Sequence, residues 1–239
     1  EATTALNWPW GNKTNSLTWR WLISPKLVAR TFLANSRYRF DFNFGLQQKG
    51  DWREGSESGT YNEKFEFDFY DIINDNTIET ELSWHGIANH QIMGGFQIKK
   101  VKYDLGMDFE FETLDTLISL SPLSQKDQTV ESSLFLQDKW SLTQKIVLQL
   151  GGRFMDYSEH DELYFDPRIG FKYLAKEDLS FKLSLGRYHQ FLTIANPEDE
   201  TWRIIDFWLG ITEEQKAPYS DHYILGLEYL SEDNWLFRC

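Results

Sequence analysis

The stretch LSFKLSLGRYHQF (179–191) alternates with a period of two. Leu179, Phe181, Leu183 and Leu185 fall on one side; Ser180, Lys182, Ser184 and Gly186 fall on the other. Only an extended strand sorts consecutive side chains onto two faces in this way. The alternation recurs in NSLTWRWLI (15–23), VARTFLANSRYRFDFNF (28–44), the run from Phe65 to Trp84 and QIMGGFQIKKVKYDLGMDFEFE (91–112). It continues in VESSLFLQDKWSL (130–142), IVLQLGGRFMDY (146–157), DPRIGFKYLA (166–175) and DHYILGLEYL (221–230). No helix competes; the acidic segment 198–216 has only weak periodicity. The pattern predicts an all-β, antiparallel chain of about ten strands.

The connections constrain the architecture further. Short ones fall at SPK, ANH, TQK, AKED and SEDN, and long polar ones at 45–64, 113–128, 158–165 and 192–219, in alternation. In an up-and-down meander, alternate connections lie at the same end of the sheet. All tight turns therefore share one end and all long loops the other. Outer-membrane barrels show this asymmetry, with short periplasmic turns and long extracellular loops, whereas a β-sandwich has no reason to sort its loops.

Composition is compatible with a transmembrane β-barrel. The hydrophobic fraction is 41%, yet no stretch reaches the roughly 18 consecutive apolar residues of a membrane helix. Barrel strands hide their lipid face in alternation instead. The net charge of -13 argues against nucleic acid. A single cysteine, Cys239, gives no disulfide framework. The opening EATTALNWPW lacks the basic and apolar regions of a secretory leader.

The aromatic residues suggest two interfacial girdles. Trp19, Trp21, Trp84, Trp140 and Trp235 lie near the tight-turn end, and Tyr38, Phe40, Phe42, Tyr157, Tyr188 and Phe191 toward the long-loop end. Gly151, Gly170, Gly186 and Gly226 fall with charged residues on the wet faces, as expected of a roomy, polar interior.

Three segments carry a resemblance: LFLQDKWSLTQKIVLQLGGRF (134–154), DPRIGFKYLAKEDLSFKLSLGRYHQF (166–191) and YSDHYILGLEYL (219–230). In that order they resemble the barrel of TonB-dependent outer-membrane receptors, and LTWRWLISPKLVARTFLANSRYRFDF resembles a hairpin of such receptors in Bacteroidetes-type bacteria. The resemblance implies a barrel of about 22 strands, of which residues 1–239 supply a part, without the plug domain and the C-terminal strands. It further implies uptake of a scarce nutrient (an iron chelate, a vitamin or an oligosaccharide) driven by a TonB-type energy-coupling protein. Outer-membrane lipid, the plug and the solute are the implied partners. The alternatives are a secreted β-sandwich that binds or cleaves glycans, and a passive porin.

No catalytic residue, cofactor or metal site is expected. Asp199/Glu200 and Glu213/Glu214 read as surface charge, and His160 with Asp161 and Glu162 as an exposed loop. Arg153, Arg168, Lys182, Arg187 and Glu228 are expected to face the lumen and contact the plug or the solute. Trp202, Phe207 and Trp208, aromatics in the loop 192–219, are the candidates for gripping a ligand outside the cell.

Overall fold

The computed structural model describes residues 1–195, 207–232 and 235–239. Strands β1 (Ala2–Asn7) and β2 (Trp10–Ser24) both pair with β3 (Leu27–Glu54), with Ala2 opposite Gln48 and Trp10 opposite Phe40. They are two lengths of one edge strand interrupted at Trp8-Pro9, where proline supplies no ladder donor. The Pro9 carbonyl still accepts the Asp41 N–H at 2.9 Å. Next come β4 (Glu57–Trp84), β5 (His90–Glu112), β6 (Leu117–Ser141), β7 (Ile146–Tyr157), β8 (Tyr164–Lys176) and β9 (Leu179–His189), each antiparallel to its predecessor. A separate hairpin of β10 (Leu192–Ala195) and β11 (Phe207–Gly210) precedes β12 (Tyr219–Leu230), which pairs with β9 and with β13 (Leu236–Arg238). The main sheet has eleven strands, ten when β1 and β2 count as one. Among the described residues its edges, β2 and β13, do not pair, so the sheet is an open wall. The described residues hold no second large sheet facing it, which removes the β-sandwich alternative.

The tight turns gather at one end as expected, at Pro25-Lys26, 87–89, 143–145 and Glu177-Asp178. At the other end two expected loops are strand. β3 and β4 stay paired for 28 residues each, up to a turn at Gly55-Ser56 where Gly55 has φ 63°, and β6 begins at Leu117 rather than near residue 129. Residues 45–64 are polar on both faces, so no period of two betrays the strands. Cross-strand pairing holds them instead. The Tyr61 ring lies against Gly50 and the Trp52 ring against Gly59, each opposite in register, and Gln47 Nε2 donates to Asn62 Oδ1 at 3.1 Å.

The wall's polarity inverts along the strands. Near the tight turns the outer face is an exposed apolar band: Leu17, Leu33, Ile78 and Ile98 form one cross-strand row, and Trp19, Phe96, Leu134 and Phe154 fall on the next. Beyond about Asn35 and Asn76 the outer face turns polar, with Arg37, Arg39, Asp41 and Asn43 on β3. There the inner face becomes apolar. Phe67, Phe69, Leu105 and Phe207 form its buried cluster, with Phe40, Phe42, Phe44 and Phe109 packed around them. A membrane-spanning strand needs about eleven residues, so the apolar outer band meets lipid and the inversion marks the water boundary.

This inversion corrects one girdle. Trp19, Trp21, Trp84 and Trp140 are exposed on the outer face beside the apolar band, as an interfacial belt requires. Tyr38, Phe40, Phe42, Tyr157 and Tyr188 instead lie on the inner face, as the register and ring contacts fix. Phe191 is buried against Tyr157. Above the membrane the outside of the wall faces water, so rings there are buried by turning inward.

Candidate functional site

The inner face at membrane depth is a hydrogen-bonded polar surface. Arg30 reaches Glu79 and Glu81 at 3.1 and 3.2 Å, and Gln97 Nε2 donates to Glu79 Oε2 at 2.8 Å. One Arg153 nitrogen donates to Gln97 Oε1 at 2.6 Å and Ser133 Oγ at 2.7 Å. Arg168, on the neighbouring strand, stacks its guanidinium on Tyr188, 4.9 Å from the ring centroid. Arg153 and Arg168 border one cleft of about 390 Å³, together with Lys99, Asp166 and His189. Asp166 is buried, and its carboxylate lies 2.6 Å from His189 Nδ1. Arg153 donates to the neutral oxygens of Gln97 and Ser133, and the buried Nε of each arginine has no hydrogen-bond partner among the described residues. Among the described residues neither guanidinium forms an ion pair, although the Glu131 and Asp166 carboxylates line the same cleft.

The cleft is roofed by Phe191 and Leu192, where the chain enters the β10–β11 hairpin. This hairpin lies against the inner wall. Phe207 packs edge-on against Phe69 at 5.1 Å between centroids and is 8% exposed. The Trp208 backbone N–H donates to Asp71 Oδ2 at 3.0 Å, and Tyr157 Oη donates to the Ile211 carbonyl at 2.9 Å. Gly210 sits so close to the wall that a Cβ there would meet Tyr157 Oη at 2.9 Å and the Thr129 methyl at 3.1 Å, so only glycine fits. Asp71 lies above the membrane-spanning residues, and its burial pushes its carboxyl up to about 6 against the donated Trp208 N–H. Burial likewise pushes the nearby Tyr103 phenol up to about 12.

These positions sort the expected site residues. Arg153 and Arg168 meet at the cleft. Lys182 and Glu228 share their face but pair with each other nearer the tight-turn end, at 2.6 Å, with Arg238 at 3.1 Å from the same carboxylate. Arg187 departs from the expectation of a lumen contact. It stands on the opposite face, in register with Asp221, which takes its guanidinium in two hydrogen bonds of 2.8 and 2.9 Å, and it lies over the Tyr219 ring. The odd positions of β9 carry Leu183 and Leu185 on that same face, so its parity in the sequence already excluded it. Phe207 is a buried anchor rather than an exposed ligand-stacking ring. Trp208 is half-buried beside it, while Trp202 and the Asp199/Glu200 pair lie outside the described residues. Asp71, Tyr103, Thr129 and Gly210 carry no signal of their own in the sequence, and Tyr157 reads there only as a girdle aromatic. The one available signal was FWLG, an apolar run ending in glycine amid acidic residues. His160, Asp161 and Glu162 gather no metal site: among the described residues no group of three His, Cys, Asp or Glu could hold an ion.

Comparison with known proteins agrees with this architecture. The family described as TonB dependent receptor-like, beta-barrel, matches residues 2–210. Among solved structures, the siderophore receptor PirA from Pseudomonas aeruginosa superposes with a TM-score of 0.50 at 17% identity, over 94% of this chain and 44% of that one. A mutant of the ferric enterobactin receptor PfeA from Pseudomonas aeruginosa gives 0.50 at 13% identity, over 95% and 41%. The RagAB peptide transporter gives 0.56 at 10% identity, over 95% and 29%. No curated protein matches. The chain spans less than half the length of these solved proteins. The match over most of its length, on an antiparallel wall with a lipid-facing outer band, places the chain in the TonB-dependent receptor β-barrel family of the Gram-negative outer membrane.

Proposed function

We propose that this chain builds one sector of an importer that admits a scarce nutrient across the outer membrane. The solute class is an iron chelate, a vitamin, an oligosaccharide or a peptide. The energy comes from a TonB-type partner acting on a plug domain that fills the lumen of the complete barrel. The protein carries the solute without chemical change. The observation that supports this most is the Arg153–Arg168 cleft at membrane depth, where the buried Nε of each guanidinium has no hydrogen-bond partner among the described residues. A plug or solute carboxylate meets that need, because a charge-assisted pair is favourable where water is scarce. Among the described residues of the hairpin, Trp208 is a ring that remains partly accessible to a solute.

The test uses the full-length protein in its native bacterium. Deleting it should abolish growth on one limiting solute class and leave the others. Collapsing the proton motive force should stop uptake; continued uptake would identify a passive porin and reject the coupling. Reversing both cleft charges, Arg153→Glu with Arg168→Glu, should lower uptake at least tenfold while the barrel still reaches the outer membrane. Unchanged uptake would remove the cleft from the transport path.

A further inference from the structure

The far end of the β3–β4 pair carries two aromatic rings outside either buried cluster. β1 ends opposite Gln48 and β5 ends opposite Lys64, so past Lys49 and Asn62, among the described residues, β3 and β4 pair only with each other. Four successive cross-strand rows share one face here: Gln48 with Glu63, Gly50 with Tyr61, Trp52 with Gly59, and Glu54 with Glu57. The face continues the parity of Phe40, Phe42 and Phe44, which lie on the inner side. Each ring leans across the glycine opposite it. A Cβ on Gly50 would meet Tyr61 Cε1 and Oη at 2.8 Å, and one on Gly59 would meet Trp52 Nε1 at 2.8 Å. The two glycines thus let both rings lie down on the strands, and covering glycine helps to hold a two-stranded pair together. That accounts for one side of each ring. The other side stays open, for Trp52 is 45% and Tyr61 39% exposed.

The surroundings select the occupant. The two middle rows hold only the rings and the glycines, so the centre of the face is flat and uncharged. The rows are offset by two residues, about 7 Å along the strand. Gln48 and Glu63 close one end and Glu54 and Glu57 the other, all exposed, and no cation shares these four rows. A sugar ring has the matching anatomy. The C–H bonds on its flat faces are weakly positive and are drawn to the negative face of an aromatic ring. The hydroxyls at its rim donate to carboxylate and amide oxygens. A cation over either ring would gain most from a carboxylate in that ring's own row, and neither row has one. An anionic ligand would meet three carboxylates and no cation. We propose that Trp52 and Tyr61 form a platform for a neutral oligosaccharide, one sugar unit on each ring, with Gln48, Glu54, Glu57 and Glu63 taking hydroxyl hydrogen bonds at its two ends. The platform lies past the water boundary, away from the Arg153–Arg168 cleft, and its saccharide is independent of the imported solute. Binding tests the platform and uptake tests the cleft, so either can fail alone.

The test takes the full-length protein in a sugar-free detergent, lauryldimethylamine oxide. It is titrated calorimetrically with neutral hexasaccharides of α-1,4-glucose, β-1,4-glucose, β-1,4-mannose and β-1,4-xylose. At least one should bind, and hexagalacturonate and hexalysine should each bind about tenfold more weakly or worse. Trp52→Ala with Tyr61→Ala should weaken the binding about tenfold or more. Trp52→Phe with Tyr61→Phe should keep most of it. Gly59→Val retains Trp52 but lifts its ring off the strand, and should weaken binding severalfold. If the double alanine variant fails to reach the outer membrane, Trp52→Ala alone should still weaken binding severalfold. Failure of all four hexasaccharides to bind the unaltered protein overturns the proposal. So does unchanged binding in the alanine variants, which puts the saccharide elsewhere on the protein. Binding of hexalysine as tight as that of the best saccharide also overturns it, since that marks a site for basic peptides.

Discussion

Single residues set how closely this wall can be assembled. At Gly95 an added Cβ would meet the Thr80 carbonyl oxygen at 2.2 Å and the Glu81 Cα at 3.0 Å, both backbone atoms that cannot swing aside. Gly95→Ala should therefore cost about 2 kcal/mol of folding stability, whereas Gly11→Ala, with nothing within 4 Å, should stay near neutral; urea midpoints of the full-length barrel in detergent compare the two. Asp71 makes the hairpin sensitive to pH. Its carboxyl titrates near 6 when buried, above its usual 3.8, so the folded state binds the proton more tightly than the unfolded one. The hairpin should accordingly hold more firmly as pH falls from about 6 to about 4, and its firmness should level off above about 7. Hydrogen exchange of the Trp208 amide, corrected for intrinsic rate, should show this, and Asp71→Asn should flatten the profile. None of this was visible in the sequence. A glycine or an aspartate in a strand shows its parity but not the backbone or the loop that lies against it.

Elements were far more legible. The period of two located the strands near the membrane because one of their faces is apolar and the other polar. It failed at 45–54 and 57–64, where polar residues fall on both faces and Leu46, Trp52 and Tyr61 are too sparse to show a period of two. It also left open which face of β3 points outward. Phe40 and Phe42 share parity with Phe32, and the sequence does not say that apolar means outward below the water line and inward above it. The β10–β11 hairpin was the larger omission, since its anchors on the wall are distant in sequence. Its hold rests mainly on one ring. Phe207→Ala should cost about 3 kcal/mol of local stability and raise hydrogen exchange at residues 207–211 well before the rest of the sheet opens. Phe207→Leu should restore most of the protection. If exchange there does not change, the hairpin is held elsewhere.

At the scale of the whole molecule, the sorting of connections carried the most information. Tight turns at one end and long excursions at the other pointed to a barrel wall before any contact was known, and the arrangement of ten antiparallel strands agrees. Lumen chemistry was half legible: alternation put Arg153 and Arg168 on one face, but only the register between β7 and β8 brings them into one cleft. The full-length protein should partition with the outer membrane and require detergent to remain dispersed. Substituting Leu134→Lys and Leu136→Lys on the lipid face should block insertion, each cation adding about 2 kcal/mol near the bilayer midplane; fractionation of cells reads both.

The paired β3–β4 ribbon continues some 19 residues past Asn35, roughly 60 Å of strand at about 3.3 Å per residue. That is twice the thickness of the hydrocarbon core, and the ribbon ends in a two-residue turn with both flanks hydrogen-bonded down to the membrane. Such a mast is a ready mount. A short epitope spliced between Gly55 and Ser56 would ride at its tip, away from the lipid and the lumen, and antibody binding to intact cells would report which side of the membrane the tip occupies without disturbing the wall that carries it.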